Sequence, residues 1–177
     1  MAEFEVRIGF SDPNKVEKEV LARVEIGAEY DTEDQFFQPK GANWSLSEKN
    51  MRLRSSTQKN GDKSVDLIYR ENVWHGDTKE EIVGLKIPFE NVEAAKKVLQ
   101  NWNFEKIFGY KKHGKVLKFT DGKSVYWEQV EHLGVTVEIE AENQEEIDEC
   151  LKMFNKFDYK LLKGTVAEMV MAKLNGS

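Results

Sequence analysis

A single cysteine, Cys150, stands in 177 residues. That excludes an internal disulfide and suits a reducing compartment. Cys150 falls in a helical pattern and reads as a small buried hydrophobe rather than a nucleophile. Only three histidines occur, His75, His113 and His132, and they are scattered. No paired-cysteine zinc pattern, no His-Glu-x-x-His and no glycine-rich phosphate loop of the Walker type is written here. Serine-nucleophile signatures are missing too. No window is long and apolar enough for a membrane span. The first residues lack a basic segment followed by an apolar run, so no signal peptide is expected and the expected location is the cytoplasm. Positive charge is not in excess either. The formal net charge of −6 argues against a nucleic-acid partner, although net charge does not forbid a concentrated internal basic site.

What the chain does have is charge, at 33% of residues, and much of it alternates with apolar residues. The opening run Glu3-Phe4-Glu5-Val6-Arg7 puts Glu3, Glu5 and Arg7 on one side of a strand and Phe4, Val6 and Ile8 on the other. Taken singly, such a strand reads as an exposed one with its charges in water. The pattern returns, however, in Met51-Arg52-Leu53-Arg54, in Ser64 to Asn72, and in Val137-Glu138-Ile139-Glu140.

Between these strands the spacing predicts helices. Asp12 or Ser11 caps one, with Pro13 in its first turn, Val16, Val20, Leu21 and Val24 as its stripe, and Gly27 as its stop. A second runs from about Asn91 to Trp102, and a third begins near Asn143 with Ile147, Leu151 and Phe154 inward. A fourth covers Thr165 to Leu174. Further strands are expected at Asp34–Gln38, from Lys79 to Pro88, at Glu105–Tyr110, Lys115–Thr120, Ser124–Val130 and Val135–Ala141. Turns are expected at Asn60-Gly61-Asp62 and Asp121-Gly122-Lys123. Pro39 to Ser47 reads as a loop with Trp44 as a packing anchor, and Trp74 to Asp77 as a second loop. Strand, helix and several strands thus occur twice, consistent with two halves of related design in one domain spanning residues 1–177. The fold class expected is α+β: a closed or nearly closed antiparallel barrel of about eight strands with helices packed outside.

Helix stripes need an apolar partner, and the apolar sheet face is the one on offer. The charged face then points away from the helices, into solvent in an open sheet or into a lumen in a closed one. That lumen would hold the acids Glu3, Glu5, Glu81, Glu128, Glu138 and Glu140. Its bases would be Arg7, Arg52, Arg54, Arg70, Lys79 and Lys111 or Lys112. An unpaired buried ion costs several kcal/mol. A polyanion on the bases and hard divalent cations on the acids would satisfy both sets, because guanidinium forks match phosphate oxygens and carboxylates suit Mg²⁺ or Mn²⁺.

The motifs resemble those of the CYTH domain, or triphosphate tunnel metalloenzymes. That family includes class IV adenylyl cyclases, thiamine triphosphatases and inorganic triphosphatases. Its Glu-x-Glu-x-Lys opening is similar to Glu3-Phe4-Glu5-Val6-Arg7 and its aspartate-to-double-aromatic strand to Asp34-Gln35-Phe36-Phe37. Its Leu-Arg-x-Arg resembles Met51-Arg52-Leu53-Arg54, its Leu-Thr-x-Lys resembles Leu67-Ile68-Tyr69-Arg70, and its Arg-x-Glu resembles Lys79-Glu80-Glu81. Its closing acid, Val-x-x-Leu-Gly and Glu-x-Glu resemble Glu128 through Gly134 and then Glu138-Ile139-Glu140. Where the family has Lys-x-Arg, this chain has Tyr110-Lys111-Lys112-His113-Gly114 and no arginine.

The resemblance implies a Mg²⁺- or Mn²⁺-dependent phosphohydrolase acting on inorganic, nucleoside or thiamine triphosphate. Two other readings are a class IV cyclase making cyclic AMP and pyrophosphate, and a non-catalytic polyphosphate or nucleotide binder. It implies phosphate binding by Arg7, Arg52, Arg54, Arg70, Lys79 and Lys111 or Lys112. It implies metal ligation by Glu3, Glu5, Glu128, Glu138 and Glu140, and a catalytic set of Glu5, Glu138, Lys111 and Lys112. The expected partner is the triphosphate or nucleotide itself, with no nucleic acid or membrane, in a monomer or homodimer.

Overall fold

Strand β1 (Glu3–Phe10) is hydrogen-bonded along both edges, and this closes the sheet. The computed structural model describes residues 3–119 and 122–176, and of Glu3 only the backbone. Helix α1 (Pro13–Leu21) follows β1, then β2 (Glu25–Pro39), β3 (Lys49–Gln58), β4 (Lys63–His75) and β5 (Thr78–Pro88). Next come α2 (Val92–Asn101), β6 (Phe104–Lys118), β7 (Ser124–Val130) and β8 (Gly134–Ala141). The chain ends in α3 (Gln144–Lys152), β9 (Tyr159–Leu161) and α4 (Val166–Leu174). The strand order is β5-β4-β3-β2-β6-β7-β8-β1, and β1 pairs with β5 to complete the ring, while β9 adds a short edge beside β1. Every pairing is antiparallel. The architecture is therefore a closed eight-stranded antiparallel barrel with helices outside.

The repeated order of elements read from the sequence is visible in the ring. Exchanging β1 through β4 with β5 through β8 leaves the neighbour relations unchanged. Each half has a single strand before its helix and three strands after it.

Helix starts follow the capping residues. Asp12 accepts from the Lys15 N–H at 3.1 Å, Asn91 from Ala94 at 2.9 Å and Asn143 from Glu146 at 3.0 Å, each satisfying an amide that no turn of helix can reach. Thr165 and Glu168 form a reciprocal capping box at the head of α4. Helices α1 and α3 bury Val16, Val20, Ile147 and Cys150, joined by Phe154 just past α3, against outward residues of β1, β7 and β8, among them Val6, Trp127 and Val137. Helix α2 sets Ala95 and Leu99 on Phe37, Met51, Leu53 and Leu67. Trp44 joins that cluster edge-on to Tyr69 and Phe104, a packing anchor as its loop position suggested. Helix α4 differs. Its Ala167 and Val170 meet Phe36, Tyr110 and Val130, and Phe36 and Tyr110 line the barrel interior. It therefore lies across one end of the barrel.

Several boundaries differ from the sequence expectation. Helix α1 stops at Leu21 and Gly27 lies inside β2, which runs far longer than Asp34–Gln38. The strands expected at 105–110 and 115–120 are one continuous β6, and Thr120 and Asp121 lie outside the described residues. Trp74 and His75 end β4 instead of forming a loop, with His75 bonded to Glu80 across the hairpin at 2.7 Å. Charged or glycine-containing stretches read as breaks in isolation, yet long barrel strands carry them because neighbours on both edges satisfy the backbone.

Candidate active site

Strand register decides which charges meet. On the β1–β8 ladder Glu5 stands opposite Glu140 and Arg7 opposite Glu138. On the β1–β5 ladder Glu5 stands opposite Lys79 and Glu3 opposite Glu81. Residues that are cross-strand partners project from the same face. The first and last charged motifs of the chain are therefore neighbours inside the barrel. Asp34 faces Arg54 on β2–β3, Asn50 faces Arg70 on β3–β4, and Thr32 faces Lys112 on β2–β6.

The interior collects six bases, Arg7, Arg52, Arg54, Arg70, Lys79 and Lys112, with the acids Glu5, Glu81, Glu138 and Glu140. Asp34 and Glu128, both fully buried, complete it through ion pairs to Arg54, Arg52, Arg7 and Lys112. Arg54 donates through Nε and Nη2 to the two oxygens of Asp34 at 2.7 and 2.6 Å. Arg7 donates through Nη1 to Glu128 and to the Thr136 hydroxyl, both at 2.8 Å, and pairs through Nη2 with Glu138. Lys79 bridges Glu5 at 2.8 Å and Glu81 at 3.1 Å, and Arg70 pairs with Glu81. Glu128 also accepts from Lys112 and from the Tyr30 hydroxyl, the latter at 2.8 Å. These pairs fill the centre, leaving about 80 Å³ of open space. That is room for a few waters.

The pairing is uneven. Burial alone would raise the carboxyl groups of Asp34 and Glu128, but the adjacent guanidinium and ammonium charges overcome it and hold both well below the usual carboxylate range. Glu5 is likewise lowered, with Lys79 and Arg7 outweighing burial. On the basic side Arg7 and Arg54 are raised, Glu128 and Asp34 outweighing burial, whereas for the other four bases burial dominates. Lys112 is pushed down to about 8, despite Glu128. Arg70 falls to about 9 through burial and the repulsion of Arg52 and Arg54, and Arg52 is lowered by burial and by Arg54. The Nε atoms of Arg7, Arg52 and Arg70 are buried with no hydrogen-bond partner among the described residues. A set of donors left short of acceptors in a closed space is suited to an incoming anion with many oxygens.

A pH dependence follows. The three depressed carboxylates contribute stability that is complete above their ordinary values, 4.5 for Glu and 3.8 for Asp, and is lost as the pH falls through those values and below. The thermal midpoint is expected to drop steeply on acidification through that range, and a flat profile there would refute the electrostatic reading.

The structure brings together Arg7, Arg52, Arg54, Arg70, Lys79 and Lys112. Lys111, offered by the sequence as the alternative to Lys112, is excluded from the interior. It is exposed on the outer face of β6, because successive side chains of a strand alternate. Glu5, Glu138 and Glu140 offer carboxylate oxygens within 4.8 Å of one another. This hard-oxygen donor set fits a divalent cation. Glu128 lies outside that group, engaged by Arg7, Lys112 and Tyr30, and the side chain of Glu3 lies outside the described residues.

Sequence reasoning did not assign roles to Asp34, Tyr30 or Tyr110. Asp34 stood in a quoted motif without a role, and its parity with Arg54 across a hairpin was the available signal. Tyr30 lies in the segment of β2 that the sequence did not show as strand. Its ring explains Gly114. A Cβ added there would fall 2.3 Å from the ring, and Gly114 sits directly between Tyr30 and Glu128 on the two ladders. At the inward position two residues after Lys112, where the resembled motif carries arginine, this chain has a tyrosine from the neighbouring strand.

A closed eight-stranded barrel whose interior gathers these acids and bases is the architecture that the CYTH resemblance implies. Among solved structures, PH1819 from Pyrococcus horikoshii OT3 superposes with a TM-score of 0.77 at 21% identity, covering 97% of this chain and 99% of that one. HpAC1 from Hippeastrum, for which a dominant triphosphatase activity is described, gives 0.71 at 11% identity over 96% and 95% of the two chains. A Vibrio parahaemolyticus structure assigned as an adenylate cyclase gives 0.68 at 14% identity over 96% and 98%. No protein-family model and no curated protein matches the chain.

Proposed function

We propose that this protein is an enzyme that binds the phosphate chain of a triphosphate inside the barrel, together with Mg²⁺ or Mn²⁺, and hydrolyses it. The observation that carries the reading is the convergence of six bases with the carboxylates of Glu5, Glu138 and Glu140 inside one closed barrel. Arg52, Arg70 and Lys112, whose charged forms burial disfavours, gain most from phosphate oxygens. Arg54 is held in place by Asp34 and Arg7 by Glu128 and Thr136, so their forks are oriented before substrate arrives. Glu5, Glu138 and Glu140 would hold the cation, which supplies charge neutralisation on the phosphate chain and a water activated at neutral pH. Occupation requires Lys79 to give up Glu5 and Arg7 to give up Glu138, which frees both bases for phosphate. The structural neighbour HpAC1, with its described triphosphatase activity, supports hydrolysis as the leading chemistry.

The test is incubation with inorganic triphosphate, ATP or thiamine triphosphate and each metal, measuring phosphate, pyrophosphate and cyclic AMP. Release of phosphate that stops with chelator is expected. Cyclic AMP with pyrophosphate would show a cyclase, and binding without turnover under either metal would show a non-catalytic binder. Arg52→Ala should weaken triphosphate binding by about 10- to 100-fold, the value of one or two charge-assisted hydrogen bonds. It should leave the melting temperature unchanged or raised, since Arg52 is repelled by Arg54 and reaches Asp34 only at 3.8 Å. Unaltered affinity would remove Arg52 from the phosphate site.

A further inference from the structure

Two carboxylates are buried completely inside the barrel, Asp34 and Glu128, and they are held in different ways. Asp34 receives two donors from one side chain, the Nε and Nη2 of Arg54. Arg52 stands off from it at 3.8 Å, so Arg52 can turn to a phosphate without baring Asp34. Glu128 has no such fork. Its Oε2 accepts from Nη1 of Arg7 at 2.8 Å, and its Oε1 accepts from the Lys112 ammonium and from the Tyr30 hydroxyl, the latter at 2.8 Å. A phenol carries its proton at neutral pH and so can donate.

The backbone is arranged to let that hydroxyl arrive. Tyr30, Gly114 and Glu128 form one row across β2, β6 and β7, and cross-strand partners share a face. The Tyr30 ring therefore passes over Gly114 to reach Glu128. A Cβ at Gly114 would lie 2.3 Å from Cζ of that ring and 2.5 Å from its hydroxyl oxygen. Any other residue there would push the hydroxyl off its acceptor.

Resting on the triphosphate reading above, we propose that Tyr30 is a positioning residue: it holds Glu128 in place while Lys112 moves from Glu128 to a phosphate oxygen of the substrate. Lys112 lines the open space of the tunnel, and its ammonium is hydrogen-bonded to Glu128. When phosphate takes that ammonium, Oε1 keeps the phenol and Oε2 keeps Arg7, so the buried carboxylate is never bare. Without the hydroxyl, Lys112 could leave only by stranding Oε1, and Glu128 and the phosphate would compete for one ammonium. The hydroxyl thus matters little before substrate arrives, when Lys112 satisfies the same oxygen, and matters most once substrate is bound.

The test is Tyr30→Phe, alone and combined with Lys112→Met. It reads the dissociation constant of inorganic triphosphate with Mg²⁺ and the melting temperature of the free protein. Tyr30→Phe is expected to weaken triphosphate by about tenfold, the value of one hydrogen bond to a charged group, and to keep the melting temperature within about 4 °C of wild type. In the Lys112→Met background no ammonium has to move, so there Tyr30→Phe should change the affinity by less than about twofold. Equal losses in both backgrounds, or no loss in either, would overturn the role. A larger fall in melting temperature, whatever the affinity, would make Tyr30 a packing residue and overturn it as well. If Lys112→Met does not fold, the affinity and melting temperature of Tyr30→Phe alone decide. Absence of triphosphate binding by the wild type would overturn the tunnel reading itself and this inference with it.

Discussion

Glu5→Gln is expected to abolish metal-dependent turnover while leaving the barrel folded. Glu5 is one of three carboxylates whose oxygens lie within 4.8 Å of one another, and an amide keeps the shape while removing the charge that a hard cation requires. Metal affinity should fall by about 100-fold or more, since loss of even an outer partner of a metal ligand costs up to that much. The fold should survive because Lys79, which pairs with Glu5 at 2.8 Å, retains Glu81 at 3.1 Å. Titration of metal in the presence of triphosphate separates the outcomes. Undiminished turnover at ordinary metal concentration would show that Glu5 is no ligand and that its charge serves only to pair with Lys79.

The second large effect is on stability. Glu128 is fully buried and accepts from Arg7, Lys112 and Tyr30. Replacing it with alanine strands the Lys112 ammonium and takes from Arg7 one of its two carboxylates, leaving it Glu138, in a space that water barely enters. Breaking a buried pair in this way costs about 3–5 kcal/mol, so the variant should unfold at markedly lower temperature or denaturant. Added triphosphate should restore some of the loss, because phosphate oxygens can replace the missing acceptor and a ligand bound to the native state stabilises it. If Glu128 is instead chiefly a metal ligand, as the family resemblance implies, Glu128→Ala would lower metal affinity with little change in stability. A variant as stable as the wild type would refute the structural role argued here.

The barrel and most of its interior were legible because strand parity is strict. Once β1 is read with Glu3, Glu5 and Arg7 on one side, the β8 motif must present Glu138 and Glu140 to the same space if the two strands pair, and they do. Helix caps were equally legible, because Asp12, Asn91, Asn143 and Thr165 each act on amides a few residues away. Long-range choices were not. Whether Lys111 or Lys112 turns inward depends on the β2–β6 register, which sets Lys112 opposite Thr32. Tyr30 escaped notice because Ala28, Glu29 and Asp31 around it give no alternation of hydrophobicity, and its contact with Glu128 spans most of the chain.

The closing seam has a bearing on how the protein is made. Strand β1 leaves the ribosome well before its partners β5 and β8, which lie far along the chain from it. Until β8 is synthesised, one edge of β1 lacks that ladder, and Glu5 and Arg7 have no lumen to face. Contacts so distant along the chain incur loop-closure entropy before they return any stabilisation. The β1–β8 ladder that closes the barrel therefore cannot form until nearly all of the barrel's strands have been made.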